Sequence, residues 1–284
     1  MKRFRNRLFQ MLLVGSVSAC GTTYQLPELG EAQTQRANQM FASAQQSGSR
    51  NALSDSKAEQ RFNRVSRRVS SVGKQYCESL TAERKDFDCN VSVEIDRKMQ
   101  QRNAYFTYEN DRPVIRMSLP MLKDTASDDE VAFIIGHEYG HLIGRHIEKQ
   151  QQQAIAGALI LGTLTAAANS YSASYGGYYD ANAVSQSVEA GAALGSHAYS
   201  QSYELESDTL GTRIAAAAGY DPVKGAMFFA RPESAKTTAG NLSFWGTHPP
   251  DEKRLATVIA TAEEMKANIA LRKASKDAPV SARE

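Results

Sequence analysis

The residues with the most chemistry to offer are His137-Glu138-Tyr139-Gly140-His141, an H-E-x-x-H spacing. On a helix, four positions turn by about 400°, so the two imidazoles leave one face, one turn apart, and can hold a single metal ion. Glu138 stands beside the first of them. Zinc lowers the pKa of a bound water towards neutrality and polarises a carbonyl, while a neighbouring carboxylate accepts the proton and later delivers it to a leaving amine. The set therefore suits hydrolysis of a peptide bond. Ile134, Ile135, Leu142 and Ile143 surround the motif, which places it in the interior, where imidazoles without partners are costly.

A catalytic zinc needs a third protein ligand. After His141, the run Leu142-Ile143-Gly144-Arg145-His146 approaches the longer metzincin spacing but misses by one, because position 147 is Ile147. On a continuing helix His146 points about 140° away from His141, so it reads as structural or as support behind a ligand. His197 is another candidate, but on a helix it lies two turns, about 10 Å, from Glu204, and the two can share a face without sharing one zinc. Glu204, in Tyr203-Glu204-Leu205-Glu206-Ser207-Asp208, is the better candidate. Glu204 and Asp208 fall on one helix face, with Glu206 almost opposite. Glu204 can bind the metal while Asp208 orients a ligating histidine through its second nitrogen; a solvated acidic face has the same spacing. Gly211 would let this helix approach the first one closely.

Several elements must position these side chains. Ser127-Asp128-Asp129-Glu130 has the spacing of a capping box and predicts a helix from about Asp128 to Gln150. Before it, Phe62, Val65, Val69 and Val72 predict an amphipathic helix over Ala58 to Lys74. Val91, Val93 and Ile95 alternate with polar residues, and short extended segments follow at Ala104 to Tyr108 and Pro113 to Ser118, around the turn-forming Glu109-Asn110-Asp111. A sheet of about three strands thus precedes the central helix. Residues Ala154 to Ala168 are small and apolar, too few to span a bilayer. With Asn169 to Asn182 they read as a packed helix and flexible loop, or as a hairpin that covers the site or touches a membrane surface. Helical composition resumes from Val184 to Gly219, Asp221-Pro222 suits a helix start, and Arg254 to about Lys276 reads as the last helix.

The chain has 284 residues with 42% apolar and 23% charged, enough for a substantial globular core. Its 33 basic and 31 acidic residues include Lys2, Arg3, Arg5 and Arg7 at the front, so the remainder is slightly acidic and carries no global charge for nucleic acid. That basic start, the short apolar stretch Leu8 to Ala19 and the small residues before Cys20 read as a secretory signal. Val17-Ser18-Ala19-Cys20 resembles a bacterial lipobox, which makes Cys20 the expected site of lipidation. Gly21 in place of aspartate favours the outer membrane, facing the periplasm. In that oxidising compartment Cys77 and Cys89 are expected to form a disulfide. The expected division is a signal peptide at 1–19, a lipidated tether at 20–56, a catalytic domain at 57–274 and a tail at 275–284.

Three blocks in order, His137 to His141 with the trailing His146, Glu204 to Asp208, and Thr247-His248-Pro249-Pro250 followed by Arg254, resemble the zinc metalloendopeptidases of the HtpX and CAAX-prenyl-protease type, within the gluzincins. The resemblance covers about residues 90 to 260. It implies one zinc per chain on His137, His141 and Glu204, with Glu138 as the base. It also implies an α+β, mainly helical metallopeptidase domain, its small sheet packed on the H-E-x-x-H helix and its edge strand holding extended substrate, expected within Arg112 to Ser118. His248 would donate to the oxyanion or take the open zinc position at rest, although a histidine capping a Pro-rich turn is the plainer alternative. Arg254 would hold that loop by pairing with a carboxylate such as Asp208. The chain is most similar to the soluble periplasmic lipoprotein members, whose resemblance implies misfolded or stalled envelope proteins as substrates and a possible association with outer-membrane assembly machinery. An assembly factor or chaperone that uses the same groove to hold clients is the alternative function.

Overall fold

The computed structural model describes residues 21–46, 52–197, 200–231 and 243–274. In chain order its elements are α1 (Glu31–Gln45), α2 (Asp55–Leu80), β1 (Ser92–Asp96), β2 (Ala104–Glu109), β3 (Arg112–Ser118), α3 (Leu119–Asp124), α4 (Asp128–Gly144), α5 (His146–Ser174), α6 (Ala181–His197), α7 (Ser200–Ala217), α8 (Pro222–Ala226), α9 (Phe244–Thr247) and α10 (Glu252–Lys266). The architecture is α+β and mainly helical, with a three-stranded sheet. The chain divides into two compact units, one formed by Tyr24–Gly144 with Glu204–Lys273, the other centred on Arg145–Tyr203.

In the first unit α4 is the central element. The Ser127 hydroxyl accepts from the Glu130 N–H at 3.2 Å, and the Glu130 carboxylate reaches back to the Ala126 N–H at 2.6 Å, so the first turn is capped from both directions. Every residue from Glu130 to Gly140 is buried, as its apolar surroundings demand. The helix stops at Gly144 rather than running to Gln150, because Arg145 takes a left-handed conformation with φ of 58°. The Arg84 guanidinium satisfies the freed Ile143 carbonyl at 2.9 Å. α2 packs on α4 through a stripe of Ala58, Phe62, Val65, Val69, Gly73 and Cys77, and it continues past Lys74 to Leu80. A disulfide joins Cys77 to Cys89 and turns the chain towards β1.

The strand order is β1-β3-β2, with β1 parallel and β2 antiparallel to β3. Asn110 and Asp111, with φ of 49° and 61°, make the two-residue turn between β2 and β3. Arg112 to Ser118 is therefore the central strand and not the edge expected from the sequence. Its burial explains the placement, since Val114, Ile115, Met117 and Ser118 are covered on both faces. Arg116 bridges its two neighbours, Glu94 at 3.1 Å and Glu109 at 2.7 Å. β2 and β3 pack on α4.

Residues 21–46 are docked rather than a free tether. Buried Tyr24 donates its N–H to Glu206 at 2.6 Å and its hydroxyl to the Leu80 carbonyl at 3.0 Å, and it bridges to Lys273. α1 buries Ala37 and Ala44 and packs on α10. α10 ends at Lys266, short of the expected Lys276, where Asn268 turns left-handed with φ of 57°.

In the second unit the ring of His146 stacks on Tyr203 at 4.5 Å between centroids and 12° between planes, and Gln153 donates to the same tyrosine hydroxyl. α5 then runs for 29 residues, about 43 Å. The fifteen apolar residues that looked too short to span a bilayer are thus the middle of a helix long and apolar enough to do so by length and composition. α5 and α6 form a hairpin in which Gly191 meets Gly157 so closely that a Cβ would stand 2.2 Å from its carbonyl oxygen. Thr165 donates to Ser187 at 2.8 Å, and Asn169 to the Asp180 carbonyl at 2.8 Å.

Candidate metal centre

α4 presents His137, Glu138 and His141, and α7 presents Glu204 and Asp208. Their backbones touch, because three glycines allow it: a Cβ on Gly136 would stand 2.9 Å from the Gly211 carbonyl oxygen, one on Gly211 2.8 Å from the His137 nitrogen, and one on Gly140 2.6 Å from the Ser207 Cα. His248 follows α9 directly, and Arg254 lies in the first turn of α10, which Asp251 caps by accepting from Lys253 N–H at 2.8 Å.

One ligand atom from each of His137, His141, Glu204 and His248 lies within 4.8 Å of the others. His137 Nε2 and His141 Nε2 are 3.0 Å apart, and each is 3.4 Å from an oxygen of Glu204. His248 Nδ1 is 3.3 Å from His137 Nε2 and 3.0 Å from Glu204 Oε2. Donor atoms set about 2.0–2.1 Å from the centre of a tetrahedron stand roughly 3.3 Å from one another, close to the distances from His137 Nε2 to His141, Glu204 and His248, so the cluster is compact enough to hold one ion. Nitrogens and a carboxylate are also the donors zinc takes. Glu138 is 1% exposed, its Oε1 has no hydrogen-bond partner among the described residues, and that atom is 3.6 Å from His248 Nε2. A buried carboxylate oxygen left unpaired beside such a cluster is costly unless it faces a proton donor during function.

The surrounding charges fix the orientation. Asp208 Oδ1 is 2.9 Å from His137 Nδ1, and Arg254 clamps Asp208 with Nε at 2.7 Å and Nη2 at 2.8 Å. Arg254 Nη1 also reaches Glu204 Oε2 at 3.2 Å and donates to the carbonyls of His248 and Pro249 at 3.2 Å. Burial opposes ionisation of both carboxyls. The positive neighbours His248, Arg254 and His141 nevertheless hold Glu204 well below the usual carboxylate range, and Arg254 with His137 lowers Asp208. Burial likewise favours neutral His137, but Asp208 and Glu204 outweigh it and push its pKa up to about 9.

His137, His141, Glu204, His248, Asp208 and Arg254 are thus brought together from four segments. His146 is not part of the cluster; the helix breaks before it, and its ring lies on Tyr203. Cys20 and the side chain of His197 lie outside the described residues. Phe229 and Phe244 were not singled out by the sequence. Their rings stack at 5.4 Å, Arg254 Cζ sits 4.0 Å over Phe229, and Phe244 is 4.6 Å from the His248 ring. The available clue was two aromatic pairs, Phe228-Phe229 and Phe244-Trp245, both ahead of the H-P loop in an otherwise aromatic-poor stretch.

The model of the family described as peptidase family M48 matches residues 61–262. No curated protein matches the chain closely enough to name a relative.

Proposed function

The chain belongs to peptidase family M48, and on that premise we propose that it is a zinc-dependent endopeptidase of the bacterial envelope, anchored through Cys20 and acting on misfolded or stalled proteins. The observation that carries this reading is the convergence of four donor atoms within 4.8 Å of one another beside the buried Glu138 Oε1, which has no hydrogen-bond partner among the described residues. His137, His141 and Glu204 would hold the ion, which supplies Lewis acidity to a water and to the scissile carbonyl. Glu138 takes the proton of the attacking water and passes it to the leaving amine. Asp208 keeps His137 oriented with Nε2 towards the cluster, and Arg254 keeps Asp208 ionised while tying down the loop of His248. His248 would take the fourth position at rest, because its Nδ1 lies among the donor atoms.

Extended substrate would pair with β2. Among the described residues β2 has a strand on one side only, and its approach is tied to α9, just before His248, by Phe244 N–H to the Arg102 carbonyl at 2.8 Å and Thr247 to Asn103 at 3.4 Å. Main-chain pairing reads little sequence, which suits varied unfolded clients. The test is Glu138→Gln. Cleavage of an unfolded envelope protein or of casein should fall by about 10²-fold or more with one bound zinc retained; hydrolysis at the parent rate removes Glu138 from the mechanism. Loss of cleavage with full support of outer-membrane integrity in cells would move the function to client binding.

A further inference from the structure

We propose that the α5–α6 hairpin is a lipid-binding surface that seats in the headgroup and upper acyl region of a bilayer, giving the chain a second point of contact with the membrane. The inference rests on the anchor reading above for which membrane is met and for one of the two arguments that name lipid as the occupant.

The hairpin is held together internally by the Gly157/Gly191 contact and by the Thr165 and Asn169 hydrogen bonds, so its outward side chains serve no packing within it. Those side chains are large and apolar. At 100° per residue, Ile160, Leu164, Tyr171 and Tyr175 fall within a band of about 60° along α5, and they are 50 to 76% exposed. Only 6% of the most apolar part of α5 is buried. Between Lys149 and Glu204 the only charges are Asp180 and Glu189. A soluble surface seldom leaves such a stretch to water.

Two observations identify the occupant as lipid. The far end of the hairpin is aromatic in the way a membrane interface favours, with Tyr171 and Tyr175 rings 4.8 Å apart and exposed Tyr178 and Tyr179 at the turn. The near end is where the anchor arrives: Thr23 accepts from Lys149 Nζ at 2.8 Å, in the first turn of α5, and its carbonyl accepts from the Ala274 N–H at 2.9 Å. Cys20 is three residues away, within about 11 Å of extended chain. An acyl group on that cysteine would therefore start only three residues of chain from the first turn of α5. The hairpin lies in the interface and does not cross. α6 has 17 residues, about 25 Å, against about 30 Å of hydrocarbon, and crossing would carry Asp180 through and leave Glu189 inside.

The test uses the full acylated chain in vesicles of phosphatidylethanolamine and phosphatidylglycerol, with Tyr171→Trp as reporter. Trp245 is 2% exposed and gives the same background throughout. With bromine on the lipid acyl chains, the emission added at position 171 should be lost, whereas emission from Ile269→Trp, on the other unit, should persist. Adding Leu164→Asp to the reporter chain should restore emission without releasing the chain from the vesicles, with helical circular dichroism unchanged. Flotation with vesicles but no bromine quenching at position 171 overturns the hairpin contact and leaves the anchor standing. Failure to float removes both. Shielding of position 171 from aqueous iodide without quenching by bromine shows that protein, a second copy or a client, covers this face, and also overturns the proposal.

Discussion

Replacing Arg254 by methionine isolates the charge balance of the centre. The side chain is 1% exposed and is the cation shared by two buried carboxylates, Asp208 with two contacts at 2.7 and 2.8 Å and Glu204 at 3.2 Å. Methionine keeps most of the volume against Phe229 but strands both charges, and breaking a buried pair in this way costs about 3–5 kcal/mol. For a chain of this size each kcal/mol moves the melting temperature by about 2–4 °C, so the chelated variant should melt about 6–20 °C below the parent. A divalent cation supplies positive charge at the same place, so the gap should narrow when zinc is added to both proteins. Arg254→Lys, which keeps the charge with fewer donors, should fall between them. Differential scanning calorimetry with chelator and with zinc reads all of these. A chelated Arg254→Met protein that melts with the parent would refute the counter-charge argument; a gap that zinc leaves unchanged would make Arg254 a packing residue.

His248→Ala should raise turnover on unfolded protein, since it clears the fourth position; lower turnover would mean that the ring stabilises the oxyanion instead. Gly211→Ala puts a methyl 2.8 Å from the His137 backbone nitrogen, where nothing can yield, and should cost about 1–3 kcal/mol in denaturant unfolding together with weaker zinc retention. In metal-free protein Asp208 and Glu204 push the His137 pKa up to about 9, from an ordinary histidine value of about 6.5. The resulting stabilisation is complete below about pH 6.5 and is lost as the pH rises through 9. Chelated protein should therefore melt lower at pH 9.5 than at pH 6, and zinc-loaded protein should not follow that dependence because a bound imidazole no longer titrates.

Local chemistry was legible in the sequence where a residue's role depends on its own helix. The two histidines of α4, the shared face of Glu204 and Asp208 and the cap at Asp221 all follow from periodicity or from one side chain reaching the next turn. So did Gly211, since only a missing Cβ permits two backbones to touch. What escaped was decided by distant partners. β3 became the central strand because β1 pairs with it in parallel, an event recorded in neither strand alone. The segment near Tyr24 looked like a tether because Tyr24 finds its backbone partners 182 and more positions away, at Glu206 and Lys273. α4 ended at Gly144 through a left-handed arginine, a conformation no pattern around Arg145 announces. Phe229 was missed for the same reason: it matters only because Arg254 lies on it.

The partners of His137 arrive late. Asp208, His248 and Arg254 stand 71, 111 and 117 positions downstream of it. A chain emerging with its N-terminus first carries its histidine pair long before the groups that orient and close the centre. The assembled centre is thus withheld from every unfinished form of the molecule and is complete only once the last helix has closed.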